Sequence, residues 1–375
     1  MSSIVIAGGG TTGHVSPMLA LGRALRRRHP DVRVLMVGTA EGLEARLVPE
    51  AGFDFATIAR VPLPRKPSGA ALRFPGRFTG TVRDMRRLIA QADADAVVGV
   101  GGYVSTPAYL AARSMRVPIV VHEANFRPGL ANRVGALLSD HVACAFPGTP
   151  LSGARPIGMP MRTEISQLDR AAARPEAAGR LGLDPALPTL AVTGGSLGAA
   201  RLNAGLAAAR EQIAAAGVQV VHLTGAGKDQ PVREALGDLP RYHVLEYASR
   251  MEDVYAVADL IIARAGAGTV SEVTAVGLPA VYVPLPIGNG EQRLNARSAV
   301  EAGAAVLVDD ADFDGRTVAD LVLPLLQDPQ RLAAMTAASG TLPMRDADER
   351  LADMVDEAIE QGKRPGGRNR TRKAG

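Results

Sequence analysis

The sequence predicts an α/β protein built from two domains, each a doubly wound parallel sheet. Short runs of β-branched residues alternate with alanine-rich stretches typical of helices, which is the pattern of βα units around parallel strands. This alternation starts twice, with IVIAGGGTTGH and, about 185 residues later, with TLAVTGGSLGA. Each start is an apolar strand, a glycine-rich turn and a helix. A length of 375 residues suits two or three domains of roughly 150 residues.

The two series contain nine predicted strands. The first series has strands at 4–7, 33–37, 96–100 and 118–122, and the second has strands at 189–192, 218–223, 243–245, 260–262 and 280–283. Between the series, segment 148–162 is rich in proline and glycine and shows no clear periodicity, so we interpret it as the linker. We expect the domains at 1–160 and 161–344, followed by a last helix at 345–362.

The composition describes a soluble globular protein, with 47% apolar and 21% charged residues. The single cysteine, Cys144, excludes an intrachain disulfide and a multi-cysteine metal site. No apolar run approaches the roughly 18–20 residues of a transmembrane helix, and the N-terminus shows no signal-peptide pattern. We therefore expect a cytoplasmic protein.

Positive charge is concentrated in two places. The tail 363–375 holds six basic residues and no acid, and is predicted to be disordered. A second basic segment runs from Arg60 to Arg87, with Asp84 as its one acid and with Phe74 and Phe78 among the arginines. The chain has no recognisable nucleic-acid motif and only 3% aromatic residues, so nucleic-acid binding is not favoured.

The first glycine-rich turn, Gly8-Gly9-Gly10-Thr11-Thr12-Gly13, fits the G-x-G-x-x-G fingerprint of dinucleotide-binding domains. Glycine lets backbone N–H groups approach a phosphate, and the following helix N-terminus favours its negative charge. An oxidoreductase of this class also needs an acid after the second strand, where this chain has Thr39. The match to a dehydrogenase is therefore incomplete, and a tight turn without a ligand remains the alternative.

His14 follows this turn and is predicted to lie in the first turn of a helix. A helix N-terminus disfavours imidazolium, so a neutral histidine suited to accepting a proton is expected there. The alternative is a histidine that only hydrogen-bonds the loop.

Further polar motifs follow other predicted strands, whose carboxyl ends are where doubly wound sheets bind ligands. They are VVGVGGYVSTP, His122-Glu123-Ala124-Asn125, RAGAGTVSE from Arg264 to Glu272, and GNGEQRLN at 288–295. Two of them have structural alternatives: Thr269-x-x-Glu272 is also a capping box, and GNGEQRLN is also a polar surface loop. Two D-x-D strings, at Asp93 and at Asp310, are interpreted as solvated turns.

Taken together, these residues resemble the MurG family of bacterial N-acetylglucosaminyltransferases over roughly residues 4–360. The motifs that carry the resemblance occur in order: GGTTGHVSP, GGYVSTP, HEAN, GGSLGA, and RAGAGTVSE through GEQRLNA. The resemblance implies a GT-B fold, in which two Rossmann-like domains face a cleft and the last helix returns to the first domain. The chain departs from the commoner family pattern at Thr12, Thr106, Ala124 and Ala248.

The resemblance also implies a reaction: inverting transfer of N-acetylglucosamine from UDP-GlcNAc to the C4 hydroxyl of lipid-linked N-acetylmuramoyl-pentapeptide (lipid I), giving lipid II for peptidoglycan. It implies no cofactor and no essential metal, because loop amides and helix N-termini can stabilise the leaving diphosphate. The implied catalytic base is His14. Glu272 is expected to accept hydrogen bonds from both ribose hydroxyls, the Ser196 hydroxyl to bind the donor diphosphate, and Arg162 to reach the nucleotide.

The remaining candidates are assigned by the same resemblance. The residues expected to contact UDP-GlcNAc are Thr11, Thr12, Gly13, Asn125, Arg162, Ser196, Ala248, Ala267, Gly268, Thr269, Val270, Ser271, Glu272 and Gln292. The residues expected near the acceptor diphosphate are Gly9, Gly10, Gly102 and Tyr103.

The acceptor's polyprenyl chain places the predicted enzyme on the cytoplasmic side of the plasma membrane, held on anionic lipid by the basic segment 60–87. Two alternative enzymes remain open at this stage. One is a UDP-GlcNAc epimerase of the same fold, and the other is an NAD-type oxidoreductase.

Overall fold

A computed structural model describes residues 2–10, 12–64, 69–195, 199–286 and 290–363. The chain divides into two compact units. The first contains Met1–Arg162 with Asp346–Gly375, and the second contains Thr163–Arg345.

The described part of the first unit contains a parallel sheet of seven strands in the order β3-β2-β1-β4-β5-β6-β7. The strands are β1 Ser3–Ala7, β2 Arg33–Gly38, β3 Asp54–Thr57, β4 Ala96–Gly99, β5 Ile119–Glu123, β6 His141–Cys144 and β7 Ala154–Pro156. The helices between them are α1 Thr12–Arg28, α2 Glu44–Glu50, α3 Gly69–Gln91, α4 Ser105–Met115 and α5 Leu130–Ala136.

The described part of the second unit contains a parallel sheet of six strands in the order β10-β9-β8-β11-β12-β13. The strands are β8 Thr189–Thr193, β9 Gln219–Leu223, β10 Tyr242–Leu245, β11 Leu260–Ala263, β12 Ala280–Tyr282 and β13 Ala305–Leu307. The helices are α6 Thr163–Ser166, α7 Arg170–Leu181, α8 Ala200–Ala208, α9 Arg210–Ala215, α10 Asp229–Leu236, α11 Met251–Val257, α12 Ala267–Ala275, α13 Glu291–Glu301, α14 Gly315–Thr317, α15 Leu323–Leu326 and α16 Pro329–Ser339, with a 3₁₀ turn Asp310–Asp312 and a π turn Val318–Val322.

The last helix, α17 Ala347–Lys363, belongs to the first unit. Its apolar face joins the core of that unit through Leu351 and Val355, which are fully buried. Its acidic first turns meet the basic end of α1, where Arg27 pairs with Asp348 at 2.7 Å. Burial of apolar residues such as Leu351 and Val355 stabilises this contact, and the ion pair between half-exposed Arg27 and buried Asp348 adds to it.

The nine predicted strands are confirmed, with ends that differ by at most one residue. The sequence reading missed β3, β6, β7 and β13, which have three or four residues each and lie at or near the sheet edges. Such strands are too short and too mixed in polarity to show a period of two. The predicted linker 148–162 is therefore not wholly irregular, because β7 pairs with β6 inside it.

The strand order reverses once in each sheet, between β1 and β4 in the first unit and between β8 and β11 in the second. The loops that leave the carboxyl ends of these neighbouring strands diverge to opposite faces of the sheet, which opens a crevice for a ligand. The glycine-rich motifs occupy these loops in both units. Among the described helices, none is both long and apolar enough to cross a lipid bilayer.

Candidate functional site

The two glycine turns of the first unit lie against each other at its switch point. The turn after β1 contains Gly9 and Gly10, with φ of 150° and 93°, and the turn after β4 contains Gly101 and Gly102, with φ of 102° and 87°. A Cβ on Gly102 would lie 2.6 Å from the carbonyl oxygen of Gly9. Glycine is required at these positions because the backbones approach closely and take conformations that other residues avoid.

One amide group in each turn already has a partner inside the protein. The Gly10 N–H donates to the Glu44 carboxylate at 2.9 Å, and the Gly101 N–H donates to the Ser105 hydroxyl at 3.0 Å. Both acceptor side chains are fully buried. The Gly10 N–H thus already has a buried carboxylate as its acceptor, and the place of Gly10 near the acceptor diphosphate stays a prediction.

His14 lies in the first turn of α1, as the sequence predicts, and is half-buried. Its Nδ1 is 3.0 Å from the carbonyl oxygen of Gly9. Because a carbonyl only accepts, Nδ1 carries the hydrogen and donates it, so in a neutral imidazole the lone pair is on Nε2. Nε2 is on the side of Gly101, where an added Cβ would lie 2.8 Å away.

The HEAN motif at the end of β5 forms a turn around a buried carboxylate. Glu123, 2% exposed, accepts hydrogen bonds from the backbone N–H groups of Asn125 and Gly129 and from the side chain of Asn132, at 2.9–3.0 Å. The side chain of Asn125 is half-exposed. Of the polar side chains in this motif, that of Asn125 is thus partly exposed, while Glu123 shapes the turn.

His122 is fully buried, and its Nε2 donates to the carbonyl oxygen of Gly158 at 2.9 Å. Burial lowers the pKa of His122 to about 4, an effect that the hydrogen bond to Gly158 opposes only in part. The imidazole is neutral at physiological pH. It fastens the HEAN strand to the segment that leads to Arg162, which is half-buried at the end of the first unit.

Tyr103, in the second glycine turn, is 47% exposed, and the Arg60 guanidinium lies 5.2 Å from the centre of its ring. Arg60 begins the basic segment, and its carbonyl oxygen accepts a hydrogen bond from Arg77. This cation–π contact joins the basic segment to the turn that is expected to meet the acceptor.

The large apolar residues of α3 are more deeply buried in its second half than in its first half. Met85 and Ile89, in the second half of α3, are buried in the core, whereas Leu72 near its start is 86% exposed. Phe74 and Phe78 stack on each other with ring centres 5.4 Å apart and are half-buried. The exposed arginines along the helix are Arg73, Arg77, Arg83, Arg86 and Arg87. The first half of α3 therefore presents apolar side chains within a basic surface.

In the second unit, Glu272 lies on α12, which begins at Ala267 within the RAGAGTVSE motif after β11. Its Oε2 accepts a hydrogen bond from the hydroxyl of Tyr255 at 2.7 Å, and the carboxylate is half-exposed. The capping-box alternative is wrong, because α12 begins at Ala267 and places Thr269 inside the helix. The carboxylate is oriented by a buried phenol instead.

The first turn of α12 includes Ala267, Gly268 and Thr269, whose N–H groups have no acceptor within the helix. Thr269 is half-buried on the same turn. Val270 and Ser271 were expected in the site, but their side chains are fully buried and the Val270 N–H donates to Gly266. A ligand contact at these two positions stays a prediction, and it would have to use the backbone because both side chains are buried.

Gln292 lies in the first turn of α13, and its Oε1 accepts a hydrogen bond from the Leu285 N–H at 2.9 Å. Its amide NH₂ is the group left to meet a sugar. Ala248, after β10, is 7% exposed. Three candidates lie outside the described residues: Thr11, Ser196 and the side chain of Thr12.

The two D-x-D strings are not both solvated turns. Asp95 accepts a hydrogen bond from the Ser3 N–H at 2.9 Å and so connects the start of β1 to the residue before β4. Asp310 is 2.6 Å from the buried guanidinium of Arg264, which also donates to the carbonyl oxygen of Val283. A buried ion pair of this kind positions the motif after β11. The prediction that Asp310 lies in a solvated turn is therefore wrong.

Sequence reasoning missed Glu44 and Tyr255 and assigned no role to Asn132. Their partners are distant in sequence: Glu44 binds Gly10, Tyr255 binds Glu272, and Asn132 binds Tyr109 and Glu123. None of them lies in one of the ligand motifs of the sequence, so no local pattern marks them.

Two family models match the chain. The glycosyltransferase family 28 N-terminal domain matches residues 4–144, and the glycosyltransferase family 28 C-terminal domain matches residues 189–351. A protein of Paenarthrobacter aurescens is 56% identical over 95% of this chain and 96% of its own length. That protein is named UDP-N-acetylglucosamine--N-acetylmuramyl-(pentapeptide) pyrophosphoryl-undecaprenol N-acetylglucosamine transferase.

Two crystal structures are similar to the whole chain. Acinetobacter baumannii MurG has a TM-score of 0.78 and 27% identity, covering 95% of this chain and 100% of that one. The UDP-GlcNAc 2-epimerase from Neisseria meningitidis, solved with UDP-GlcNAc, has a TM-score of 0.68 and 14% identity with the same coverage, a likeness of fold alone. The predicted fold class, two Rossmann-like parallel-sheet domains of the GT-B type, is confirmed.

Proposed function

The chain belongs to the MurG family within glycosyltransferase family 28, and we propose that it transfers N-acetylglucosamine from UDP-GlcNAc to the C4 hydroxyl of undecaprenyl-diphospho-N-acetylmuramoyl-pentapeptide. The products are lipid II and UDP. The observation that carries this proposal is 56% identity, over nearly the full length of both chains, to a relative named for that transfer.

Glu272 and the first turn of α12 form the donor side of the proposal. A carboxylate can accept hydrogen bonds from both ribose hydroxyls. The hydrogen bond that the Tyr255 hydroxyl donates to Oε2 keeps the Glu272 carboxylate oriented. The N–H groups of Ala267, Gly268 and Thr269 favour the negative charge of the diphosphate. The amide of Gln292, the hydroxyl of Thr269 and the side chain of Asn125 bind the sugar, and Arg162 and Ala248 contact the nucleotide.

His14 is the base in this proposal. The acceptor C4 oxygen attacks the anomeric carbon, the bond from that carbon to the UDP oxygen breaks with its electron pair, and the C4 proton passes to Nε2. Nδ1–H donates to the Gly9 carbonyl, so Nε2 is the nitrogen with the lone pair. Attack opposite to the leaving diphosphate inverts the anomeric centre.

Two alternatives predict different products. An epimerase of this fold would convert the UDP-sugar without an acceptor and without releasing UDP. An NAD-type oxidoreductase would need the acid that is missing after β2, where Thr39 stands. Family membership favours the transferase over both.

The decisive assay measures UDP released from UDP-GlcNAc with and without the lipid-linked muramoyl acceptor. We expect release that depends on the acceptor and a product heavier by one N-acetylglucosamine. Equal UDP release without acceptor, or an epimerised UDP-sugar, would contradict the proposal.

We also propose that the basic segment 60–87 holds the enzyme on the inner surface of the plasma membrane. The acceptor's polyprenyl chain stays in the bilayer, so the enzyme must come to it. Exposed Arg73 and Arg77 are attracted to anionic headgroups by about 1 kcal/mol each, and Leu72 and the Phe74–Phe78 pair lie among them. The buried second half of α3 anchors this surface to the unit that carries His14. Arg65 and Lys66 of the segment lie outside the described residues.

Vesicle sedimentation tests the membrane proposal. Binding is expected to require anionic lipid, to weaken as salt rises, and to drop for the triple variant Arg73→Gln, Arg77→Gln, Phe78→Ser. The control for the loss of two positive charges is Arg113→Gln with Arg116→Gln, at the last turn and the C-cap of α4 in the same unit. If the triple variant binds as the parent does, the membrane surface lies elsewhere, and the basic tail 363–375 becomes the better candidate.

A further inference from the structure

We propose that Glu44 is a positioning residue that acts on His14 through the peptide group between Gly9 and Gly10. The inference rests on the role of base proposed for His14. In this arrangement a buried carboxylate, one peptide group and the imidazole form a continuous hydrogen-bonded relay.

The carboxylate of Glu44 is enclosed at the start of α2. It is 0% exposed, and its Oε2 accepts the Gly10 N–H at 2.9 Å. Its Oε1 accepts the Thr39 N–H at 2.9 Å and the Thr39 hydroxyl at 3.0 Å. Burial alone raises the pKa of Glu44, but these hydrogen bonds outweigh it and hold the pKa below its usual value. The group is therefore a fixed negative charge stabilised by backbone dipoles.

The sequence around the carboxylate makes room for it. A Cβ on Gly9, Gly38 or Gly42 would collide with the Glu44 carboxylate. Gly38 and Gly42 have no part in any ligand motif of the sequence. Glycine is needed at these two positions because the Glu44 side chain occupies the space that a Cβ would take. The glycine turn does bind an anion, but that anion is a side chain of the same unit.

One planar peptide group connects Glu44 to His14. Its N–H, from Gly10, donates to Glu44, and its C=O, from Gly9, accepts from His14 Nδ1 at 3.0 Å. In a trans peptide these two groups point in opposite directions, so the carboxylate and the imidazole lie on opposite sides of one rigid plane. A negative acceptor on the N–H polarises the amide and strengthens the carbonyl as an acceptor for Nδ1–H.

The relay has two consequences for His14. It holds the tautomer with hydrogen on Nδ1 and the lone pair on Nε2, and it favours the positive charge that the imidazole gains when it takes a proton. A carboxylate that bonds a catalytic histidine directly has the same two effects. Here the peptide transmits them, and Glu44 itself touches no reacting atom.

The readout is the tautomer of His14, measured by nitrogen-15 NMR on the full chain with labelled histidine. The His14 signals are assigned by their loss in His14→Ala. In the parent, we expect a protonated Nδ1 and an unprotonated Nε2. In Glu44→Gln we expect a shift toward hydrogen on Nε2, a fall in kcat of about 10²-fold, and a donor KM within about twofold of the parent.

Glu50→Gln is the matched control, because Glu50 lies at the other end of α2, is exposed and pairs with Arg46. It should leave both the tautomer and kcat unchanged. Gly42→Ala is the second variant, used with Glu44→Gln in case the latter fails to fold. It displaces the carboxylate while keeping the charge, and should shift the tautomer in the same direction.

The inference is overturned if a folded Glu44→Gln or Gly42→Ala variant keeps the parent's tautomer and kcat. Loss of melting temperature with an unchanged tautomer would also overturn it, since that describes a purely structural carboxylate. Failure of the proposed base is separately visible: His14→Ala would then keep kcat, while the tautomer shift in Glu44→Gln would still support the relay.

Discussion

Removing the hydroxyl of Tyr255 should weaken donor binding through Glu272. Tyr255→Phe keeps the ring, which is 1% exposed, and deletes the group that donates to Glu272 Oε2 at 2.7 Å. A hydrogen bond to a charged acceptor contributes about 1.5–3 kcal/mol. Because this bond exists before the donor binds, most of its loss should appear in stability. We expect about 1 kcal/mol to appear in donor binding, a rise in KM of roughly fivefold, since 1.4 kcal/mol corresponds to tenfold.

The assay compares UDP-GlcNAc with the donor that lacks the ribose 2′-hydroxyl. If Tyr255 orients Glu272 toward the ribose, loss of the ribose 2′-hydroxyl should raise the donor KM more in the parent than in Tyr255→Phe. Such a difference measures the coupling between the Tyr255 side chain and the substrate. Tyr282→Phe is the control: it removes the hydroxyl of another buried tyrosine in the same unit, one that interacts with Thr274. Equal penalties for the deoxy donor in the parent and in both variants would refute the reasoning.

Three further predictions follow from the site and the core. His14→Ala should lower kcat by roughly 10²–10⁴-fold with little change in donor KM, measured by steady-state UDP release, and a near-normal kcat would remove His14 as the base. Gln292→Ala should weaken donor use by about 1 kcal/mol, because it deletes the amide left after Oε1 bonds Leu285; a melting shift with unchanged donor KM would identify a role in the loop alone. The free energy of unfolding should fall as pH drops from about 6.5 to about 4, because burial lowers the folded-state pKa of His122 and of His222 to about 4 while the unfolded chain takes up protons near 6.5. Urea unfolding at pH 7 and 4.5 measures this loss, and His222→Gln should reduce the difference; an unchanged pH dependence in that variant would contradict the assignment.

The sequence predicts much of the fold because strand and helix formation depend on local patterns. The apolar strands 4–7 and 189–192 run directly into glycine-rich turns, and both lie beside a switch point in the structure. The edge strands β3 and β7 could not be predicted, since their stability comes from pairing with a neighbour rather than from their own residues.

The candidate site is predicted less completely than the fold. The position of His14 at a helix start and the place of Glu272 after β11 follow from their motifs. The burial of Val270 and Ser271 does not, because which face of α12 meets the core depends on how the helix packs. Asp310 looked like part of a solvated turn until the structure placed it against Arg264.

The sequence by itself determined the two series of parallel strands, the glycine turns at the strand ends and, through the motifs in those turns, the family to which the chain belongs. These properties depend on residue type and on spacing along a few neighbouring residues. Only the tertiary structure decided which protein groups form hydrogen bonds with the residues of these motifs. Glu44 lies 34 residues from Gly10, and Tyr255 lies 17 residues from Glu272. A hydrogen bond between such groups forms only when separate elements bring donor and acceptor within about 3 Å, a distance that packing determines.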